Sequence, residues 1–163
     1  MQILTDRLLI RPIEAADWPA VRDIWAALAP LPMAQYDKPF DTRPESVQPR
    51  IARWAEYTAL GTAHMFFAVC LHDAVIGYIS CNQRDDGHEI GYSFHPAHHG
   101  KGYAKEMLRL NIQNAKALGI PQLLITCDVS NVASEKTILA NGGVYEKTIE
   151  VDGNRLKRYW ITV

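Results

Sequence analysis

The segment Glu89–Ala104, EIGYSFHPAHHGKGYA, carries the residues with the clearest chemical use. It reads as a strand ending at Pro96, a glycine-bearing turn, and a long helix that begins near Gly102. Gly100 and Gly102 let the backbone turn tightly and let a ligand approach closely. Free N–H groups at a helix start, aided by the helix dipole, suit a phosphate group. Two common phosphate motifs fit poorly. A dinucleotide fingerprint needs a third glycine where Lys105 stands, and no acidic ribose ligand is evident. A P-loop needs glycine where His95 stands and Ser or Thr where Gly102 follows Lys101. A plain strand-to-helix turn also accounts for both glycines.

Other reactive side chains crowd this region. His88, His95, His98 and His99 are four of the six histidines. No carboxylate or cysteine stands near them at a spacing typical of zinc, so solvated turn histidines are expected rather than a metal site. Glu89, on the strand leading to the turn, shares a face with Gly91 and Ser93 and is the foremost candidate general base. The competing reading is an exposed strand carboxylate paired with a cation. Asp128 and Tyr145 are secondary candidates. Asn131 suits a helix N-cap, with Ser134 in the turn that follows. Cys127 reads as a buried apolar thiol, since no base or orienting group can be assigned to it.

The elements that must position these groups follow from periodicity. Leu4–Ile10 reads as a strand, with a helix from an Asp17 N-cap and Pro19 in its first turn. Ala29–Pro44, broken by four prolines, reads as a long loop that shapes a substrate wall. Thr42-x-x-Glu45 resembles a capping box before a second amphipathic helix that Gly61 stops. His64–Leu71, Val75–Cys81 and His88–His95 form three strands with short, polar connections, which implies antiparallel pairing. Ala104, Met107, Leu108, Ile112, Ala115 and Leu118 mark one face of a long helix, and Gly119 with Pro121 ends it. Leu123–Cys127 is a strand and Asn131–Asn141 a short helix. Val144–Val151 and Leu156–Val163 are strands joined through Asp152-Gly153. The expected architecture is an α/β (α+β) single domain over residues 1–163, a mixed, mostly antiparallel twisted sheet flanked by helices.

The run His99-Gly100-Lys101-Gly102-Tyr103-Ala104 resembles the Gln/Arg-x-x-Gly-x-Gly/Ala signature of the GNAT superfamily of N-acetyltransferases, with His99 in place of Gln or Arg. The opening Leu4-Thr5-x-Arg7-Leu8-x-Ile10-Arg11-Pro12 resembles its RimJ/RimL-like branch. The resemblance covers essentially the whole chain. It implies acetyl-CoA as co-substrate, with the backbone at Phe94 and His95 on the pantetheine arm. It also places the N–H groups of Gly100, Lys101, Gly102, Tyr103 and Ala104 on the pyrophosphate, and His99 at the position of a cofactor-contacting side chain. Asn131 would touch the pantetheine arm, and Ser134 would lie near the thioester sulfur. The tyrosine that serves many relatives as acid has its equivalent at Ile138, so Ser134 or a water would replace it.

Composition narrows the partners. The 163 residues carry 17 basic and 18 acidic side chains, a balance that gives no footprint for nucleic acid or an anionic membrane. The longest apolar run, Met65–Leu71, is too short to cross a bilayer, and no signal peptide is visible. An odd cysteine count without a Cys-x-x-Cys pair argues against a disulfide framework, and a cytoplasmic location with reduced thiols fits. The expected function is acetyl transfer to a primary amine, either a protein N-terminal α-amine or a small molecule, with room for a homodimer. Two other classes stay open: a non-catalytic acyl-CoA-binding sensor or regulatory module, and a nucleotide-binding interaction domain.

Overall fold

A computed structural model describes residues 2–36 and 40–163; the expectation for the loop Ala29–Pro44 therefore falls partly outside the described residues, at 37–39. The strands are β1 (Ile3–Leu4), β2 (Leu8–Pro12), β3 (His64–Leu71), β4 (Ala74–Arg84), β5 (Gly87–Phe94), β6 (Gln122–Asp128), β7 (Val144–Val151) and β8 (Asn154–Thr162). The helices are α1 (Trp18–Leu28), α2 (Pro44–Ala59), α3 (Tyr103–Ala117) and α4 (Val132–Ala140). One sheet holds all eight strands in the order β1-β2-β3-β4-β5-β6-β8-β7. Every neighbouring pair is antiparallel except β5 with β6, which α3 connects as a crossover. The mixed, mostly antiparallel α/β sheet expected from the sequence is present.

Alternation along the strands sorts the core into two faces. In β3, Phe67 and Val69 pack with Leu8, Ile10, Met107 and Leu110, on the α3 face. Ala68 and Cys70 point the other way, onto Val21, Ile24, Val47 and Ile51 of α1 and α2. A third cluster joins α3, β6, α4 and β8 through Leu108, Leu123, Ile125, Ile138 and Tyr159.

Three local expectations are corrected. The first strand is split: Thr5 N–H donates to Leu8 O and its hydroxyl accepts from Leu8 N–H, which turns the chain into a β1–β2 hairpin. Asp17 holds the N-cap position of α1 as expected, but its side chain does not cap the helix; the carboxylate binds Arg11 through two hydrogen bonds of 2.8 Å and accepts from Glu14 N–H. No Thr42–Glu45 box forms, because Arg43 is the N-cap of α2 and Asp41 accepts from the Arg43 N–H and the Ser46 hydroxyl. Pro44 at the first helical position needs no N–H partner there.

Candidate active site

β5 and β6 pair only at His88–Leu123 and Glu89–Leu124 and then separate. The other edge of β5 stays paired with β4 as far as Phe94, and His95 N–H extends that ladder to Ile76 O at 2.8 Å. Alternate residues of an antiparallel ladder bond to the same neighbour. Glu89, Gly91, Ser93 and His95 therefore bond to β4. The backbone groups of Tyr92 and Phe94, beyond the last β5–β6 pair, face the opened seam instead. Asn111, buried in α3, holds the strand here by donating to Gly91 O at 3.2 Å.

A cleft of about 630 Å³ occupies the seam. Its walls come from both faces of the sheet, so it runs between the layers: Ala104, Asn131, Ser134 and Thr137 on the α3–α4 side, Trp25 and Met33 on the α1 side.

At the end of β5 a glycine-bearing turn leads into α3. Pro96–His98 forms a 3-10 turn, and Gly100 (φ 73°) and Gly102 (φ 80°) take left-handed conformations that favour glycine. Gly102 is the N-cap of α3 and brings no side chain to it. The first helical bond runs from Glu106 N–H to Gly102 O, so the N–H groups of Tyr103, Ala104 and Lys105 have no acceptor among the described residues. His99 turns inward: its Nε2 donates to Phe94 O at 3.1 Å and its ring meets the Phe94 ring edge-on at 4.4 Å. That bond leaves the Phe94 N–H as the open backbone donor at this point of the seam. His95 is more occupied than the sequence suggested, since its N–H serves Ile76 and its carbonyl accepts from His98. Lys101 is exposed, while Tyr103 is buried below the turn.

On α4 the core side and the cleft side are distinct. Ile138 is fully buried in the core, and Ser134 and Thr137 are the α4 hydroxyls that line the cleft. Asn131 does cap α4, accepting from Ser134 N–H at 3.2 Å. Facing these hydroxyls is Tyr92, a residue that sequence reasoning passed over. Burial pushes its phenol up, with the Ser134 and Thr137 hydroxyls acting in the opposite sense, so it stays protonated at neutral pH. A tyrosine between Ile90 and Phe94, on the apolar side of β5, was the available signal.

Glu89 lines the cleft and is also paired: Arg84 Nε donates to it at 2.8 Å, and Thr126 Oγ1 to its other oxygen at 3.5 Å. The expected pairing with a cation is present, and the carboxylate also borders the cleft. Asp128 shapes the β6–α4 turn by accepting from the Ser130 N–H and hydroxyl, which hold its carboxyl below the usual range. Tyr145 is half exposed on β7, outside the cleft, and the β7–β8 hairpin contributes only Leu156. Cys127 lines the cleft with its thiol pushed up by burial, which suppresses the nucleophilic thiolate.

The remaining wall is aromatic. Trp25 Nε1 donates to the Tyr78 hydroxyl at 3.0 Å, and Phe40 stacks on Trp25 at 4.1 Å. Tyr36, in the 3-10 turn Pro32–Tyr36, reaches Ser130 on the β6–α4 turn at 3.3 Å. Among the described residues no group of three or more His, Cys, Asp and Glu side chains is placed to hold a metal, and no helix is long and apolar enough to cross a membrane.

The sequence profile described as an acetyltransferase (GNAT) domain matches residues 7–144. No curated protein sequence matches the chain. Among solved structures, the ribosomal-protein-S5-alanine acetyltransferase of Vibrio fischeri is similar at 17% identity and a TM-score of 0.85, covering 99% of this chain and 96% of that one. RimL, a ribosomal L7/L12 α-N-protein acetyltransferase in complex with coenzyme A, is similar at 16% identity and a TM-score of 0.86, covering 100% and 98%. A Salmonella typhimurium structure with its cofactor acetyl-CoA is similar at 22% identity and a TM-score of 0.74, covering 96% and 94%. With the signature turn, the parted strands and a profile that spans most of its length in agreement, the chain belongs to the GNAT family of acetyltransferases.

Proposed function

We propose that this acetyltransferase moves the acetyl group of acetyl-CoA directly to a primary amine, with a protein N-terminal α-amine as the first acceptor to test. The observation that carries this reading is the continuity of the site. A helix start with three unused N–H groups leads into a seam of unpaired backbone groups, and that seam leads to Glu89. A pyrophosphate fits the first part and an amide-bearing arm the second. Two of the similar structures are ribosomal-protein acetyltransferases, which supports a protein acceptor.

The chain's own residues divide the chemistry. Phe94 N–H and the α3 N-terminus orient the donor, which supplies an activated acyl carbon. Glu89 accepts the proton of the ammonium, either directly or through water. The amine forms the new C–N bond, the C–S bond breaks, Tyr92, backed by the Ser134 hydroxyl, donates a proton to the departing sulfur, and the second proton shed by the acylated nitrogen returns to Tyr92 through water. Deprotonating an α-amine of pKa about 8 costs about 1.4 kcal/mol at pH 7, against about 4.6 kcal/mol for a lysine of pKa about 10.4. One surface-paired carboxylate is adequate for the first task. The suppressed thiolate of Cys127 favours direct attack over an acyl-cysteine intermediate.

The deciding experiment is a calorimetric titration with acetyl-CoA, with CoA, ATP and NAD as controls, followed by thiol release with a panel of peptide N-termini and small amines. Selective binding of the CoA compounds with turnover of an α-amine is expected. Binding without turnover of any amine would leave a sensor, and no binding of acyl-CoA would overturn the reading.

A further inference from the structure

The β1–β2 hairpin lies against the back of the anion-binding turn. Arg7 donates from Nε to Glu106 Oε2 at 2.8 Å and from Nη2 to the same oxygen, and from Nη1 to Lys101 O at 3.3 Å. Its guanidinium also lies 4.5 Å over the Tyr103 ring. Thr5 Oγ1 donates to Glu106 Oε1 at 2.6 Å. A Cβ on Gly102 would stand 3.9 Å from Arg7 Nη2, so the side chain borders the turn itself.

Glu106 is the unexpected member. Its side chain is only 9% exposed and occupies the first turn of α3, where the phosphate would approach. Burial alone would raise its pKa, yet the Thr5 and Arg7 hydrogen bonds and the charge of Arg7 outweigh that and hold it ionised. An ionised carboxylate beside a pyrophosphate repels it unless its charge is matched. Arg7 supplies that match, and through Lys101 O it also fixes the carbonyl side of the turn.

We propose that Arg7 is a positioning residue for cofactor binding: with Thr5 it neutralises Glu106 and braces the Gly100–Gly102 turn, so that the α3 N-terminus presents net attraction to the pyrophosphate. This rests on the reading that acetyl-CoA occupies that turn. It reassigns the Thr5-x-Arg7 part of the opening motif from a strand to a support of the ligand site.

The test uses Arg7→Gln, Glu106→Gln and the double variant, with KM and kcat measured for acetyl-CoA and for S-acetyl-pantetheine, which lacks the pyrophosphate. Arg7→Gln is expected to raise the KM for acetyl-CoA about tenfold with kcat nearly unchanged, as an uncompensated carboxylate is left behind. Adding Glu106→Gln should recover most of that loss, and the KM for S-acetyl-pantetheine should not move. A double variant no better than Arg7→Gln, or equal losses with both donors, would overturn the electrostatic role and leave a general packing defect. An unchanged KM in Arg7→Gln, while the unaltered protein binds acetyl-CoA, would sink the inference but keep the cofactor. Failure of the unaltered protein to bind acetyl-CoA would remove the reading beneath it.

Discussion

Glu89 and Tyr92 stand on one strand three residues apart, yet they differ in environment. Glu89 is partly exposed and held by Arg84, whereas Tyr92 is packed among apolar neighbours with its hydroxyl toward α4. This difference suits a base and an acid at the same pH. In Glu89→Gln, kcat/KM for an α-amine acceptor is expected to fall about 100-fold. In Tyr92→Phe, kcat should fall as well. Thiol-release kinetics check both, and an unchanged kcat/KM in Glu89→Gln removes that residue from the mechanism. Glu89 was legible in the sequence because strand alternation and its distance from the glycine turn are both local. Tyr92 was not, because its role depends on a hydroxyl contact across to α4. The lining of the α4 wall has the same origin: helix phase decides which side chains face the cleft, and a single position changes the answer by about 100°.

The elements form the site through where they stop pairing. β4 guides β5, and Gly77 sits opposite Phe94 where the strand approaches the turn. A Cβ on Gly77 would lie 2.6 Å from Ser93 O and 2.7 Å from Phe94 Cβ. Backbone cannot move aside as a flexible side chain can. Gly77→Ala is therefore expected to destabilise the fold by about 1–3 kcal/mol in urea unfolding and to raise the KM for acetyl-CoA. Gly91→Ala is a milder control, since its Cβ meets only the Ser80 hydroxyl, at 3.2 Å. A Gly77→Ala protein with unaltered stability and KM would show that β5 tolerates displacement. Element order was legible because periods of 2 and 3.6 are set by local sequence. The two-residue pairing of β5 with β6 was not, since register between distant strands leaves no local mark. The hairpin at Thr5 was missed for a further reason: no glycine or proline announces it, and a threonine hydroxyl makes the turn.

At the scale of the molecule, charge is nearly balanced in number but organised in pairs. Glu106 and Asp128 are held below the ordinary carboxyl range, Glu106 by the bonds that outweigh its burial and Asp128 by Ser130. His98 is also depressed, first by burial and then by neighbouring positive charge. Each group is harder to protonate folded than unfolded, so each adds stability above its unfolded pKa and loses it as pH falls. The loss should begin below about pH 6.5 with His98 and steepen below about pH 4.5 with the carboxylates. Urea midpoints measured from pH 8 to 4 should fall monotonically, and Glu106→Gln should flatten the lower part of the curve. A midpoint that rises toward acid would contradict the assignment. The parted strands have a mechanical consequence as well. The sheet is two rigid plates, β1–β5 and β6–β8, bolted at two residue pairs and strapped by α3. A guest that bonds to both plates acts as the missing rivet, so loading the cleft should slow amide exchange in β5 and β6 together and stiffen the whole molecule.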